Sequence, residues 1–437
     1  MARKKTKHRI DVISLGCSKN LVESERLLRR LESKGYEVVF ESADPSGEYV
    51  VVNTCGFISD AKEESINTIL SLCRKKEAGK IGKIVVMGCL SQRYLADLKK
   101  EIPEVDLWYG KFDWKNFVET LPDLNKSQKE PADWERKLTT PAHSAFLKIS
   151  EGCNRFCAFC AIPGITGRHT SRPIEEIIME VESLVAKGVK EFNVIAQDLS
   201  SYGTDIYGKK TLAQLIEKIS SVKGVEWIRL HYAYPADFPM DLLEVMAKHD
   251  NVCKYLDIAL QHISNKVLAN MRRHITKEET LNLLATIREK VPGIKIRTTL
   301  MTGFPGEGEE EFEELLDFVK SQKFDRMGAF SYCEEEDTYA AQHLDDEVNP
   351  EVKQNRLDRL MALQQEIAQE LNDKMVGTVQ KVLIDRIEDG IAYGRTQYDS
   401  PEVDPEVIVK CSTLQPGTFA QIKITEAYPF ELTGIPV

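Results

Sequence analysis

Twice along this chain, short runs of β-branched and aromatic residues alternate with amphipathic helical stretches, and that alternation leaves few folds open. The first series has runs at 10–15, 37–40, 49–53, 83–87 and 105–108, with helical stretches such as 21–33 and 61–74 between them. Spacing of this kind predicts a small parallel-sheet α/β domain over 8–125. Polar residues without a period follow across 121–141, with three prolines, and 126–141 is read as a linker. A second series begins at 146–149 and continues at 191–195, 227–232, 255–260, 295–300 and 324–330, with helices such as 173–186 and 309–320 interposed. Six repeats where a closed barrel has eight predict an open, TIM-like (β/α)6 barrel over 142–375. The helix expected at 350–373 carries Leu360, Leu363, Ile367 and Leu371 on one face, to pack against that barrel. Beyond 375 the helices stop. Segments 376–385, 391–398, 406–410 and 418–424 are joined only by turn residues, which predicts an OB-like all-β barrel over 376–437.

Composition narrows the setting. The 437 residues are 42% apolar and 29% charged, as in ordinary globular cores. A net charge of −11 has the wrong sign for a protein that coats nucleic acid. No apolar run approaches the roughly 20 residues needed to span a bilayer. The basic start, Arg3-Lys4-Lys5-Thr6-Lys7-His8-Arg9, reads as a solvated tail with no apolar stretch behind it for a secretion signal. The expected location is therefore the reducing cytoplasm, with no membrane partner. Clustered cysteines there bind metal more often than they pair with one another.

Such a cluster follows the first barrel strand: Cys153-Asn154-Arg155-Phe156-Cys157-Ala158-Phe159-Cys160. Three thiolates on one tight loop can bind three irons of a [4Fe–4S] cluster and leave the fourth open. Its place at the C-terminal end of a strand is where barrel enzymes keep their sites. The bland alternatives are a zinc knuckle or three incidental cysteines, but zinc sites show two paired C-x2-C halves, and no fourth ligand stands at such a spacing. With Phe159 before the last cysteine, the loop resembles the signature of the radical S-adenosylmethionine enzymes. In that superfamily the open iron chelates the amino and carboxylate groups of S-adenosylmethionine, and one-electron reduction yields a 5′-deoxyadenosyl radical. Gly303-Phe304-Pro305-Gly306, followed by Glu307, resembles the family's stretch near the bound cofactor. A plain turn between strand and helix explains it equally well.

A second constellation is spread out. Cys17, Cys55 and Cys89 each follow a predicted strand of the first domain, and Gly16, Gly56 and Gly88 adjoin them. Strand ends of a parallel sheet emerge on one edge, so three distant thiols can meet there. Isolated buried cysteines are common, but three in this arrangement favour a metal site. The stretch Gly16-Cys17-Ser18-Lys19-Asn20-Leu21-Val22-Glu23-Ser24-Glu25 resembles the opening of the methylthiotransferases, with Glu23 in place of an Asp. Val52-Asn53-Thr54-Cys55-Gly56 and Met87-Gly88-Cys89-Leu90 match the family's other two cysteines. The resemblance covers the whole chain and implies a cluster-bearing first domain, a radical barrel and a C-terminal barrel of the TRAM type. It also implies S-adenosylmethionine and two [4Fe–4S] clusters, one on Cys153, Cys157 and Cys160 and an auxiliary one on Cys17, Cys55 and Cys89.

Two branches of the family compete: one methylthiolates an adenosine of transfer RNA, the other the β-carbon of an aspartate in the twelfth small-subunit ribosomal protein. Gly16-Cys17-Ser18-Lys19-Asn20 resembles the second branch, where the first has G-C-Q-M-N. Residues 377–437 hold five cations against nine carboxylates, a poor grip on RNA and a better one on a basic ribosomal protein. This branch implies that protein as substrate, free or in the ribosome, with an electron donor and a sulfur donor besides and RNA contact secondary. A metal-binding adaptor without catalysis stays open as an alternative, although a structural site would be closed by four ligands. No catalytic residue beyond the cysteines stands out. Cys73, Cys253, Cys333 and Cys411 are expected to be packing residues. The six glutamates between Glu307 and Glu314 suit a helix start, and His231, His262 and His274 are expected to be structural.

Overall fold

The structure, a computed structural model, describes residues 6–127, 129–411 and 413–437, so Arg3, Lys4 and Lys5 of the basic tail lie outside the described residues. The chain divides into two compact units. The first is Met1–Thr140 with Glu151–Cys153 and Ala161–Arg168; the second is Pro141–Ser150, Asn154–Cys160 and His169–Val437. No described helix is long and apolar enough to cross a membrane.

In the first unit, β1 (Thr6–Ser14), β2 (Glu37–Phe40), β3 (Gly47–Thr54), β4 (Lys83–Gly88) and β5 (Leu107–Trp108) form a sheet in the order β2-β1-β3-β4-β5. Every pairing in it is parallel. The apolar runs are continuous because both faces are covered. Val51 and Val85 join Leu27, Leu28 and Leu31 of the helix Ser18–Ser33 on one side. Val50, Val52, Ile84 and Val86 meet Ile69 and Leu72 of the helix Ser59–Glu77 on the other. The basic start is not all tail: Thr6 opens β1, the His8 amide donates to Glu48 (3.0 Å), and Arg9 pairs with Asp11 at 2.6 Å. The described residues of the segment expected as a linker form no regular elements, yet Arg136 among them is a fully buried side chain bonded to Glu25 of the first helix. A polar composition concealed this, because the buried arginine carries its own counter-charge.

The second unit holds a six-stranded parallel sheet, ordered β13-β12-β11-β10-β9-β6 and not closed on itself. Its strands are β6 (Ser144–Lys148), β9 (Glu191–Ile195), β10 (Trp227–Ala233), β11 (Val252–Gln261), β12 (Lys295–Thr302) and β13 (Arg326–Ser331). The chain also forms a two-stranded ribbon of β7 (Ser150–Glu151) and β8 (Thr170–Ser171). The helix Pro350–Asp373 buries Leu360 and Ile367 beside β13. Then β14 (Val379–Glu388), β15 (Ile391–Thr396), β16 (Glu406–Lys410), β17 (Phe419–Ala427) and β18 (Glu431–Pro436) close a barrel in the order β14-β15-β16-β18-β17. The sequence pointed to four strands here. Gly434 and Pro436 disguise the fifth as a turn, and the barrel needs that glycine: a Cβ would stand 2.5 Å from Ile422. Packing accounts for Cys73 and Cys253, both buried, and partly for Cys411, whereas Cys333 is exposed.

Buried charge joins the small barrel to the parallel sheet. Glu191, at the start of β9, receives Arg395 of β15 through both carboxylate oxygens (2.8 and 2.7 Å) and Arg229 of β10 at 3.1 Å. Asp399 holds Arg326 at 2.7 Å, and Asp404 holds Arg297 (2.9 Å) and the Tyr255 hydroxyl (2.8 Å). Burial alone would raise the Glu191 carboxyl, but Arg395 and Arg229 outweigh it and hold it far below the ordinary carboxylate value of 4.5. Its stabilising contribution is therefore complete above pH 4.5 and is lost as pH falls toward the folded value. Removing one partner strands the others, so Arg395→Met should cost about 3–5 kcal/mol in chemical denaturation. The Glu191→Gln chain should lose less of its remaining stability on acidification than the unaltered chain.

Candidate metal centres

The parallel sheet brings Cys17, Cys55 and Cys89 to one edge. They follow β1, β3 and β4, which are neighbours, and Thr54 and Gly88 stand in register immediately before two of them. Cys17 caps the helix Ser18–Ser33, Cys89 begins the helix Cys89–Glu101, and Cys55 lies just before the helix Ser59–Glu77. Helix N-termini favour anions, thiolates included. Backbone approach is tight here. A Cβ on Gly16, whose φ is +89°, would lie 2.8 Å from the Cys55 sulfur, and one on Gly56 would lie 2.6 Å from the Leu90 backbone. Only glycine fits both positions.

Two buried amides lock the loops that carry these thiols. Asn20 donates to the Leu15 and Thr54 carbonyls (3.1 and 2.9 Å) and accepts from the Cys89 thiol at 3.5 Å. Asn53 donates to the Asn20 carbonyl (3.0 Å) and to the Ser24 hydroxyl (2.9 Å). Ser65 closes the Cys55 loop by bonding both its N–H and its C=O. Charge separates the three thiols. Burial pushes Cys89 up to about 12 and raises Cys55. For Cys17 the desolvation it feels is outweighed by Lys19, by the backbone N–H groups of Asn20 and Lys19 and by Lys111, so its thiol is lowered. Lys111 is buried, bonded to Glu151 at 2.7 Å, and its charge acts on Cys17 and Cys89. Sequence patterns offered no signal for it, since one lysine among many marks nothing.

The other three cysteines sit on the loop after β6. Gly152 has a positive φ, and a Cβ there would strike the Arg168 carbonyl at 2.1 Å. Phe156, also left-handed at φ 49°, bends the chain between Cys153 and Cys157. The loop is pinned at Ala158, whose N–H donates to the Met271 carbonyl (2.9 Å) and whose carbonyl accepts from Ala340 (2.8 Å). The Cys157 sulfur accepts a guanidinium N–H from Arg273 at 3.1 Å, and the Tyr234 hydroxyl lies 3.9 Å away. Arg155 and Arg273 both stand over the Tyr234 ring, at 4.2 and 4.1 Å, and Asp198 holds Arg155 at 2.7 Å.

Phe159 packs edge-on to Phe304 (6.1 Å), which brings the Gly303–Gly306 turn beside the loop. Phe304 itself is fully buried against Tyr332 at 4.9 Å. The turn accounts for both of its glycines: a Cβ on Gly303 would meet the Lys353 side chain at 2.3 Å, and one on Gly306 the Asn270 side chain at 2.4 Å. Glu307 precedes the helix Glu309–Gln322 and is buried, where its Oε1 accepts from the Gly303 N–H and from Arg356 (both 2.9 Å) and its Oε2 lies 3.2 Å from His262. His231 is buried 3.3 Å from Asn193, and His274 is exposed.

Both thiol sets fit iron–sulfur clusters. Among the described residues no three Cys, His, Asp or Glu side chains converge as ligands of one ion would. A cubane takes one thiolate per iron, so it asks for sulfurs ranged round a void, with cations near the sulfurs and backbone held close by glycine. The cations and the glycines are in place: Arg273 beside Cys157, Lys111 acting on Cys17 and Cys89, and Gly16 close against Cys55.

Residues 147–319 match the radical SAM superfamily, residues 9–110 the uncharacterized protein family UPF0004, and residues 376–437 the TRAM domain. Among solved structures, the radical S-adenosylmethionine methyltransferase TsrM from Kitasatospora setae, with cobalamin and a [4Fe–4S] cluster bound, shares the fold. It superposes with a TM-score of 0.57 over 89% of this chain and 81% of its own, at 15% identity. Ribosomal protein uS12 methylthiotransferase RimO from Phocaeicola vulgatus is 60% identical, covering 97% of this chain and 98% of its own length. The protein of that description from Christiangramia forsetii is 49% identical, covering 99% and 95%. With identity of this order sustained across nearly its whole length, the chain belongs to the RimO family of radical S-adenosylmethionine methylthiotransferases.

Proposed function

We infer that this protein methylthiolates ribosomal protein uS12, at the β-carbon of one aspartate. What carries the inference is similarity to uS12 methylthiotransferases that extends over 97% of the chain and so runs through both thiol sets. In this reading Cys153, Cys157 and Cys160 hold the cluster that binds S-adenosylmethionine, with Phe159 and the Gly303–Gly306 turn beside it, and Cys17, Cys55 and Cys89 hold the auxiliary cluster. When bound, these cofactors supply a carbon radical and a transferable sulfur, which an unactivated C–H bond demands and no side-chain acid, base or nucleophile provides. The chain's own residues do the holding. Asn20, Asn53 and Ser65 fix the auxiliary loops, Lys111 offsets thiolate charge, and Ala158 keeps the radical loop in place. A low-potential one-electron donor and a sulfur source complete the reaction, which we place in the cytoplasm. Domain limits of 8–125, 142–375 and 376–437, with 126–141 between the first two, go with this reading.

Of the charges counted in 377–437, Arg395, Asp385, Asp399 and Asp404 are consumed in ion pairs inside the second unit. Lys381, Arg386, Lys410 and Lys423 remain at the surface with Glu388, Asp389, Glu402, Glu406, Glu426 and Glu431. The acidic excess is smaller than the sequence suggested, so the choice of a ribosomal protein over transfer RNA rests on the relatives.

Mass spectrometry of uS12 and of transfer RNA, each incubated with reconstituted protein, S-adenosylmethionine and dithionite, tests the substrate. A methylthio group on the uS12 aspartate is expected; modified transfer RNA with uS12 unchanged would overturn the reading. Cys157→Ala should abolish 5′-deoxyadenosine formation and remove about four of about eight irons per chain. Gly16→Ala should also lower iron toward about four per chain, by displacing Cys55, while 5′-deoxyadenosine formation persists.

A further inference from the structure

Arg273 stands out among the groups around the radical loop. It follows the short helix Asn265–Asn270, is 116 positions from Cys157 in sequence, and is 3% exposed. One terminal nitrogen donates to the Cys157 sulfur at 3.1 Å, and the other donates to the Ala259 carbonyl. The guanidinium lies 4.1 Å over the Tyr234 ring, and the Tyr234 hydroxyl donates back to the Arg273 carbonyl at 2.7 Å. Ala158, next to Cys157, is bonded to the Met271 carbonyl two residues before Arg273. The arginine and the sulfur it serves are therefore held by one set of backbone contacts, and the donor is aimed before any metal arrives.

The geometry points to Arg273 as the residue that sets the reduction potential of the cluster on Cys153, Cys157 and Cys160, through a charge-assisted N–H···S bond to Cys157. This rests on Cys157 being an iron ligand. The step concerned is the uptake of one electron from an external low-potential reductant, which makes the cluster one charge more negative. A fixed cation and a donated N–H to a ligand sulfur favour the more negative form. The donor is buried and Cys157 is half-buried, so water screens the bond only in part. Arg273 thus acts through Cys157 as a positioning residue and makes the reduced state accessible.

The test is a potentiometric titration of the full chain, reconstituted with iron and sulfide and followed by electron paramagnetic resonance of the reduced cluster. It is run in the unaltered protein and in the Arg273→Gln and Arg273→Lys variants. Iron content and the circular dichroism spectrum are checked in each. Arg273→Gln should lower the reduced-to-oxidised ratio at fixed potential about tenfold, which for one electron is about 59 mV toward more negative values. Arg273→Lys, which keeps the charge, should recover part of that shift. A fully loaded Arg273→Gln chain with an unmoved potential would overturn the proposal. Should the variants fail to hold iron, the unaltered chain labelled with 15N-arginine decides. Pulsed resonance of its reduced cluster should show coupling to an arginine nitrogen, and absence of that coupling overturns the proposal too. If Cys157→Ala leaves the iron content unchanged, the ligand assignment fails instead, and the two failures are told apart.

Discussion

A parallel sheet exists only if every crossover carries the chain back to the end it started from, and that demand organises both units of this molecule. It places every strand-to-helix loop of a sheet on one edge. Cys17, Cys55 and Cys89 share an edge because β1, β3 and β4 are adjacent and run the same way. The same rule sets the Cys153–Cys160 loop after β6 and the Gly303–Gly306 turn after β12 on the C-terminal edge of the second sheet, where Phe159 can touch Phe304. Chemistry-bearing residues far apart in sequence are gathered by topology before any side chain is chosen.

Cations are then distributed to suit the sulfurs. Lys111 is placed where its charge reaches two auxiliary thiols, and Glu151 balances it from the other side. Arg273 reaches one radical-loop sulfur and is satisfied elsewhere by a carbonyl and an aromatic face. Neither residue belongs to a recurring motif. Both are buried, and a cation held out of water acts more strongly on a neighbouring sulfur. Each thiol set has one such cation acting on it.

Much of this was legible in the residues because it depends on local period and spacing. Continuous apolar runs such as Val50–Val52 signalled strands covered on both faces, and three cysteines in eight positions signalled a cluster loop. What escaped notice depends on partners distant in sequence. β18 carries Gly434 and Pro436 and becomes a strand only because β16 and β17 flank it. Asp404 reads as a surface carboxylate until Arg297 and Tyr255 close over it. Arg136 lies in a stretch whose composition says linker, and Glu25 makes it part of a core. In each case the deciding contact spans far more chain than any period can report.

The first unit is not a contiguous piece of sequence. It takes in Glu151–Cys153 and Ala161–Arg168, which lie beyond the first strand of the second sheet. Ala161 and Ile165 cover Cys89, and Glu151 is the counter-charge of Lys111. A chain emerging from the ribosome therefore cannot finish its first unit at residue 140. That unit waits until about residue 168 has emerged, by which time all three cysteines of the second loop are already outside. Synthesis thus presents the six thiols together rather than one set at a time, so cluster loading has a natural starting point late in the first half of translation.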